Sequence, residues 1–131
     1  MAKHLAVFVG DAVEKILKGE KTVELRLALS KIAPYGQIKK GDAILLKESG
    51  DKVLGQVSVD NVLFYENLDG EMIGRLRKEY TTETGMPDEF WQRKANARYA
   101  SIIFLKNPRR FLTPLKIKKH SRLPWVILEK D

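Results

Sequence analysis

Three ionisable side chains fall within six residues of the segment Gly19-Glu20-Lys21-Thr22-Val23-Glu24-Leu25-Arg26. A buried carboxylate flanked by two cations stays ionised and keeps one orientation. Such a group can accept hydrogen bonds from an amino-bearing base edge. The lysine can bind a phosphate, or act as a base where desolvation lowers its pKa. The alternative is mechanical: an ion pair bracing a helix–strand joint, or a solvated strand face. Spacing leaves both open.

The elements around this segment decide which side chains meet. Val23 and Leu25 alternate with Thr22, Glu24 and Arg26, the period of a half-buried strand. Glu24 and Arg26 then share a face. Lys21 has the opposite parity, so it joins them only from the turn before the pleat or at a bulge. Upstream, Leu5 to Val9 reads as a strand. Asp11 with Glu14 reads as a capping box for a helix carrying Ala12, Val13, Ile16 and Leu17, which Gly19 stops.

Downstream, Leu27 to Ile38 is a connection broken by Pro34 and Gly36, and Lys40-Gly41-Asp42 is a turn. Asp42 is read as structural, an aspartate bonding its own backbone. Strands are expected at Ala43 to Lys47 and Val53 to Val59, joined by a hairpin turn at Ser49-Gly50-Asp51. Gly55 inside the second marks a bulge or a close approach. From Glu66 to Ala97 the pattern becomes helical. Asp69 caps a helix with Met72, Ile73, Leu76 and Tyr80 on one stripe, and Thr81 to Gly85 breaks it. Pro87 opens a second helix with Phe90 and Trp91. Tyr80, Phe90 and Trp91 are expected to pack this insertion onto the strands. Tyr99 to Leu105 is a strand, at whose start Arg98 and Tyr99 line a cleft or form an ordinary edge. Asn107-Pro108 is a turn, Phe111 to Ile117 is irregular or extended, and Trp125 to Leu128 is a last strand. The expected class is α+β, mainly β: one domain over residues 1–131, a small barrel of six or seven strands with one early helix and a helical insertion over about 66–97.

Composition narrows the partners. The 131 residues carry 24 Lys and Arg against 17 Asp and Glu, a net charge of +7. A polyanion is the first candidate partner. No cysteine is present, which excludes disulfides, a cysteine nucleophile and thiolate metal sites. No metal constellation, cofactor motif or glycine-rich phosphate loop is present. Apolar runs such as Ile102 to Leu105 are far short of the ~20 residues that span a bilayer. Residues 1–10 read as a strand, not a signal peptide, and the cytoplasm is the expected compartment. Residues 106–131 hold eight cations and two carboxylates, a net +6. Lys116, Lys118, Lys119 and Arg122 form an edge suited to phosphates. Trp125 beside them is a candidate platform for base stacking, or alternatively a core residue. His4 and His120 are read as incidental, and Ser121 has no identifiable catalytic partner.

The pattern Ile16-Leu17-x-Gly19-x-Lys21-Thr22-x-Glu24-x-Arg26, followed by Lys40-Gly41-Asp42 and a glycine-containing hairpin strand, resembles the ASCH domain, the family named for homology to activating signal cointegrator-1. Gly19, Lys21, Glu24 and Arg26 fill its G-x-K-x-x-E-x-R signature. The ending, from Asn107-Pro108-Arg109 through Leu112-x-Pro114 to Pro124-Trp125, is similar to ASCH proteins of the small endothelial-overexpressed, lipopolysaccharide-associated factor type. The resemblance covers nearly the whole chain except residues 66–97. It implies a PUA-like β-barrel with a cleft beside the motif, and binding of RNA or a modified nucleobase at Lys21, Glu24 and Arg26.

Some small family members remove the acetyl group of N4-acetylcytidine, and others are ribonucleases. The amidohydrolases match this chain at Lys21 but carry threonine where Glu24 stands. A carboxylate cannot form the acyl intermediate that a threonine hydroxyl can. Catalysis here would need Glu24 to activate water while Lys21 stabilises the oxyanion. The leading expectation is therefore an RNA- or nucleotide-binding module. A hydrolase comes second, and a protein-interaction adaptor using residues 66–97 third.

Overall fold

The computed structural model describes residues 1–50, 52–118 and 121–130. β1 (Lys3–Phe8) leads through α1 (Ala12–Leu17) into β2 (Val23–Ala28). β3 (Ala43–Glu48) and β4 (Val53–Tyr65) form a hairpin. Two helices follow, α2 (Gly70–Thr84) and α3 (Asp88–Arg93). The long β5 (Tyr99–Leu115) and the short β6 (Trp125–Glu129) complete the order. One sheet runs β2-β5-β4-β3-β1-β6, parallel only at β1–β3. It is mainly β and curled into a PUA-like half-barrel. Curling brings the outer strands together: Arg26 on β2 donates from Nη2 to the carbonyl of Val7 on β1 at 3.1 Å, and its guanidinium lies over Trp125 of β6.

Strand parity sorts the core. Val23, Leu25 and Leu27 face α2 and α3, joining Ile73, Leu76, Trp91 and Ile102. Ile103, the neighbour of Ile102, points the other way, among Phe8, Ile16, Leu46, Val57 and Trp125. Glu24 and Arg26 therefore project from the face of β2 opposite to Val23, Leu25 and Leu27. The expected packing of Tyr80, Phe90 and Trp91 is present, with Trp91 4% exposed and the other two half-buried. Among the described residues, no helix is long and apolar enough to cross a membrane.

Three local expectations need correction. Asp11 makes no side-chain cap bond, because its backbone (φ −99, ψ 13) lacks the extended geometry a cap requires. Asp11 instead pairs with Lys15 at 3.4 Å, and Glu14 pairs with Arg110. The threonines do not break α2 at Thr81. Thr81 and Thr84 each bond a carbonyl one turn back, so the helix runs to Thr84 and ends at Gly85 (φ 62). Asp69 caps it as expected, accepting from Met72 N at 2.8 Å. Asn107-Pro108 is not a turn. β5 continues through it, with partners passing from Ser58–Lys106 to Gln56–Arg109. A bulge there, with Asn107 at φ 53, absorbs a proline that has no N–H to donate.

Gly55 is both a bulge site and a close approach. A Cβ there would lie 2.4 Å from Arg109 O and 2.9 Å from Leu17 Cδ2. The first neighbour is backbone and cannot rotate away. Gly55→Ala is expected to cost about 3 kcal/mol in urea unfolding, at the upper end of overpacking costs. A loss below about 1 kcal/mol would contradict this reading of the sheet.

Candidate functional site

Lys21 reaches Glu24 from the turn that precedes β2. Gly19 adopts φ 78, and the amides of Glu20 and Lys21 both bond the Lys15 carbonyl, at 2.9 and 3.1 Å. That turn frees Lys21 from strand parity. Its side chain is buried, with Nζ 3.3 Å from Glu24 Oε1. Nζ also donates to the Thr84 carbonyl at the C-terminus of α2 and lies 3.9 Å from Met86 Sδ. The ammonium therefore sits between a carboxylate and the negative end of a helix.

Glu24 is 2% exposed and fully engaged. Oε1 accepts from Leu25 N at 3.0 Å and faces Lys21, while Oε2 accepts from Arg26 Nε at 3.3 Å and Nη2 at 3.2 Å. Three hydrogen bonds and the Lys21 ammonium surround the carboxylate, which has about four lone-pair positions. Burial pushes the Glu24 carboxyl up, but the Lys21 and Arg26 charges and the Leu25 amide outweigh it and hold it below the usual carboxylate range. A lowered folded pKa stabilises the fold above the unfolded value of about 4.3, and that stability is lost as pH falls through the folded value. The stability gap between the native protein and Glu24→Gln should therefore narrow below about pH 4.3. Urea midpoints at neutral and acidic pH measure it, and an unchanged gap would contradict the assignment.

Arg26 is held on several sides. Its guanidinium carbon lies 5.0 Å from the Phe8 ring centroid and 4.9 Å from that of Trp125. Trp125 Nε1 donates to His4 Nδ1 at 3.0 Å. An indole nitrogen only donates, so His4 Nδ1 is bare and Nε2–H faces Asp42 Oδ2, at 2.9 Å. Asp42 also accepts from Ala2 N at 2.9 Å and Lys39 N at 3.1 Å. A buried polar chain thus runs from Asp42 through His4 and Trp125 to Arg26, Glu24 and Lys21. His4 is not incidental. Nothing in the sequence hinted at this, since His4 lies before the expected strand Leu5 to Val9 and no spacing links it to Asp42 or Trp125.

Lys21, Glu24 and Arg26 line one cavity of about 360 Å³ between the β1–α1 loop, β2 and the α2–α3 loop. Lys15, Arg93 and Lys94 line it as well, and Asp11 is its only other carboxylate among the described residues. Phe8, Met86 and Phe90 supply apolar wall. Sequence reasoning missed Lys15, Arg93 and Lys94, which come from two helices and a cap with no shared motif. Thr22 is not among the lining residues.

The model of the ASCH domain family matches residues 10–114. The chain belongs to the ASCH domain family. The match runs from before α1 to Pro114 in β5 and includes all four signature residues. Among solved structures, the ASCH protein of Zymomonas mobilis is 13% identical, with a TM-score of 0.74 over 98% of this chain and 88% of that one. Protein EF3133 of Enterococcus faecalis V583 is 9% identical, with a TM-score of 0.57 over 92% and 87%. The N-terminal domain of Staphylothermus marinus McrB is 13% identical, with a TM-score of 0.50 over 87% and 76%. These likenesses concern the fold alone. No curated protein matches the chain by sequence.

The described residues of the basic edge of this ASCH domain do not line the cavity. Lys116, Lys118 and Arg122 are exposed and absent from the lining. Ile117 between the two lysines packs on Leu5, Leu45 and Val53, the outer side of the sheet. Lys119 and His120 lie outside the described residues. Two tail cations are neutralised by upstream carboxylates, Lys106 by Asp60 at 3.5 Å and Arg110 by Glu14. Trp125 needs correction as a stacking platform: it is 1% exposed, and Arg26 covers its ring. Among the described residues, no group of three or more His, Cys, Asp or Glu is placed to hold a metal.

Proposed function

We propose that this ASCH domain binds RNA, taking one nucleotide into the cavity at Lys21, Glu24 and Arg26. The observation that carries this reading is the enclosure of Glu24. It is buried, accepts from Leu25 and Arg26 and is ion-paired with Lys21, so it orients the cations instead of meeting a ligand. Arg26 Nη1 has no partner among the described residues, and Lys21 donates only to the Thr84 carbonyl and a distant sulfur. The cavity therefore presents donors and positive charge, which suit a phosphate or the carbonyl edge of a base. The apolar wall suits the flat part of a nucleobase. Family membership and the PUA-like fold support the same reading.

A hydrolytic role for Glu24 is less well supported, because the carboxylate is buried and already accepts three hydrogen bonds, whereas a general base must reach a water. The exposed Lys116, Lys118 and Arg122 add sequence-independent attraction for a longer strand. Replacing all three by alanine should lower the slope of log affinity against log salt by about 2 for single-stranded RNA. The same change should leave a mononucleotide unaffected. Fluorescence anisotropy over a salt series measures both. An unchanged slope would remove the tail from the account, and no affinity for RNA or nucleotide at any salt would remove the whole of it.

A further inference from the structure

A second cavity, of about 330 Å³, adjoins the first. Arg26, Leu27 and Lys94 line both, so the two are neighbours with a shared cationic boundary. The far side is built by the β2–β3 connection and the start of β5, which contribute Tyr35, Tyr99 and the buried Ser101. The tyrosine rings are half-buried and fixed edge to face. Tyr35 lies 5.1 Å from Tyr99 and 5.3 Å from Phe64 on β4. Lys31 Nζ lies 5.8 Å from the Tyr99 ring centroid. No carboxylate lines this second cavity among the described residues.

We infer that the second cavity takes the nucleotide adjacent to the one bound at Lys21 and Arg26. The ligand is then a two-nucleotide step of a single strand, not a free nucleoside. The inference rests on the nucleotide reading of the first cavity. The linking phosphate lies at the boundary, where Arg26 and Lys94 face both spaces. The second base lies against Tyr35 and Tyr99, since aromatic faces hold single-stranded bases without regard to sequence. The cavity is of the size that holds a compact organic ligand, at the low end of about 300–1,000 Å³. Cations on the boundary and an absence of acids fit a polyanion. The role expected for the buried Trp125 passes to these tyrosines.

Titration by amide chemical shifts tests this, with UMP, CMP, AMP and GMP against the 5′-phosphorylated homodinucleotides. A dinucleotide should bind about ten-fold or more tighter than its mononucleotide and should also shift Tyr35 and Tyr99. Tyr35→Leu should return dinucleotide affinity to the mononucleotide level and leave mononucleotide affinity unchanged. Ser30→Glu, an exposed change on the rim, should do the same by charge repulsion without disturbing the core. Equal affinity for both ligands, or a dinucleotide advantage that survives both variants, overturns the second subsite and leaves the first standing. Shifts from neither ligand overturn both.

Discussion

Glu24→Ala is expected to lower the unfolding free energy by about 3–5 kcal/mol, the cost of breaking a buried ion pair from one side. For a domain of this size that is a fall in Tm of more than about 10 °C. The cause is what stays behind. Lys21 is 3% exposed and would be left buried beside a helix C-terminus with no carboxylate to pair with. Arg26 would lose both bonds to Oε2. Removing the whole set tests the cause. Lys21→Met, Glu24→Leu and Arg26→Met together should recover much of the loss, because apolar groups of similar volume leave no stranded charge. A control is the surface pair of Lys31 and Glu66 at 3.9 Å, with side chains 61% and 57% exposed. Glu66→Ala should cost less than about 1 kcal/mol. Differential scanning calorimetry on the variants separates the cases. If Glu24→Ala behaves like Glu66→Ala, the buried triad is not a unit.

Arg26→Met is expected to weaken nucleotide binding by about ten- to hundred-fold, the range for losing charge-assisted bonds to an anionic ligand. Its stability cost should be smaller than that of Glu24→Ala, because Lys21 still neutralises the carboxylate. Arg26→Lys should not rescue binding. A lysine cannot reproduce the fork on Glu24 Oε2 or the flat stacking between Phe8 and Trp125. Binding should therefore be most sensitive at residue 26, and stability most sensitive at residue 24. Isothermal titration beside calorimetry shows whether the two sensitivities separate. If they fall together at both positions, Arg26 acts on the fold and not on a ligand.

The strand period around Glu24 and the stop at Gly19 made the motif legible, down to the condition that Lys21 reach it from a turn. Asp69 and Gly55 were legible for the same reason, since capping and close approach have local signatures. What escaped was set by distant parts of the chain. His4 and Asp42 meet because β1 pairs with β3, 38 positions apart. Lys15, Arg93 and Lys94 reach the cavity only because α1 packs on β3, β4 and β5 while α2 packs on β2. Asn107-Pro108 carried a turn signal that the long β4–β5 pairing overrode with a bulge. The net charge of +7 pointed to the tail, whereas the fold gathers a second set of cations at the motif.

The most direct measurement is an amide chemical-shift map of the intact protein titrated with a mononucleotide. Shifts should concentrate on Lys21 to Leu27, on Thr84 to Met86 and on Lys94, and Arg26→Met should move their midpoint to about ten- to hundred-fold higher ligand concentration. Shifts confined to residues 106–118, with none at Glu24 or Arg26, would contradict a binding cavity at the motif.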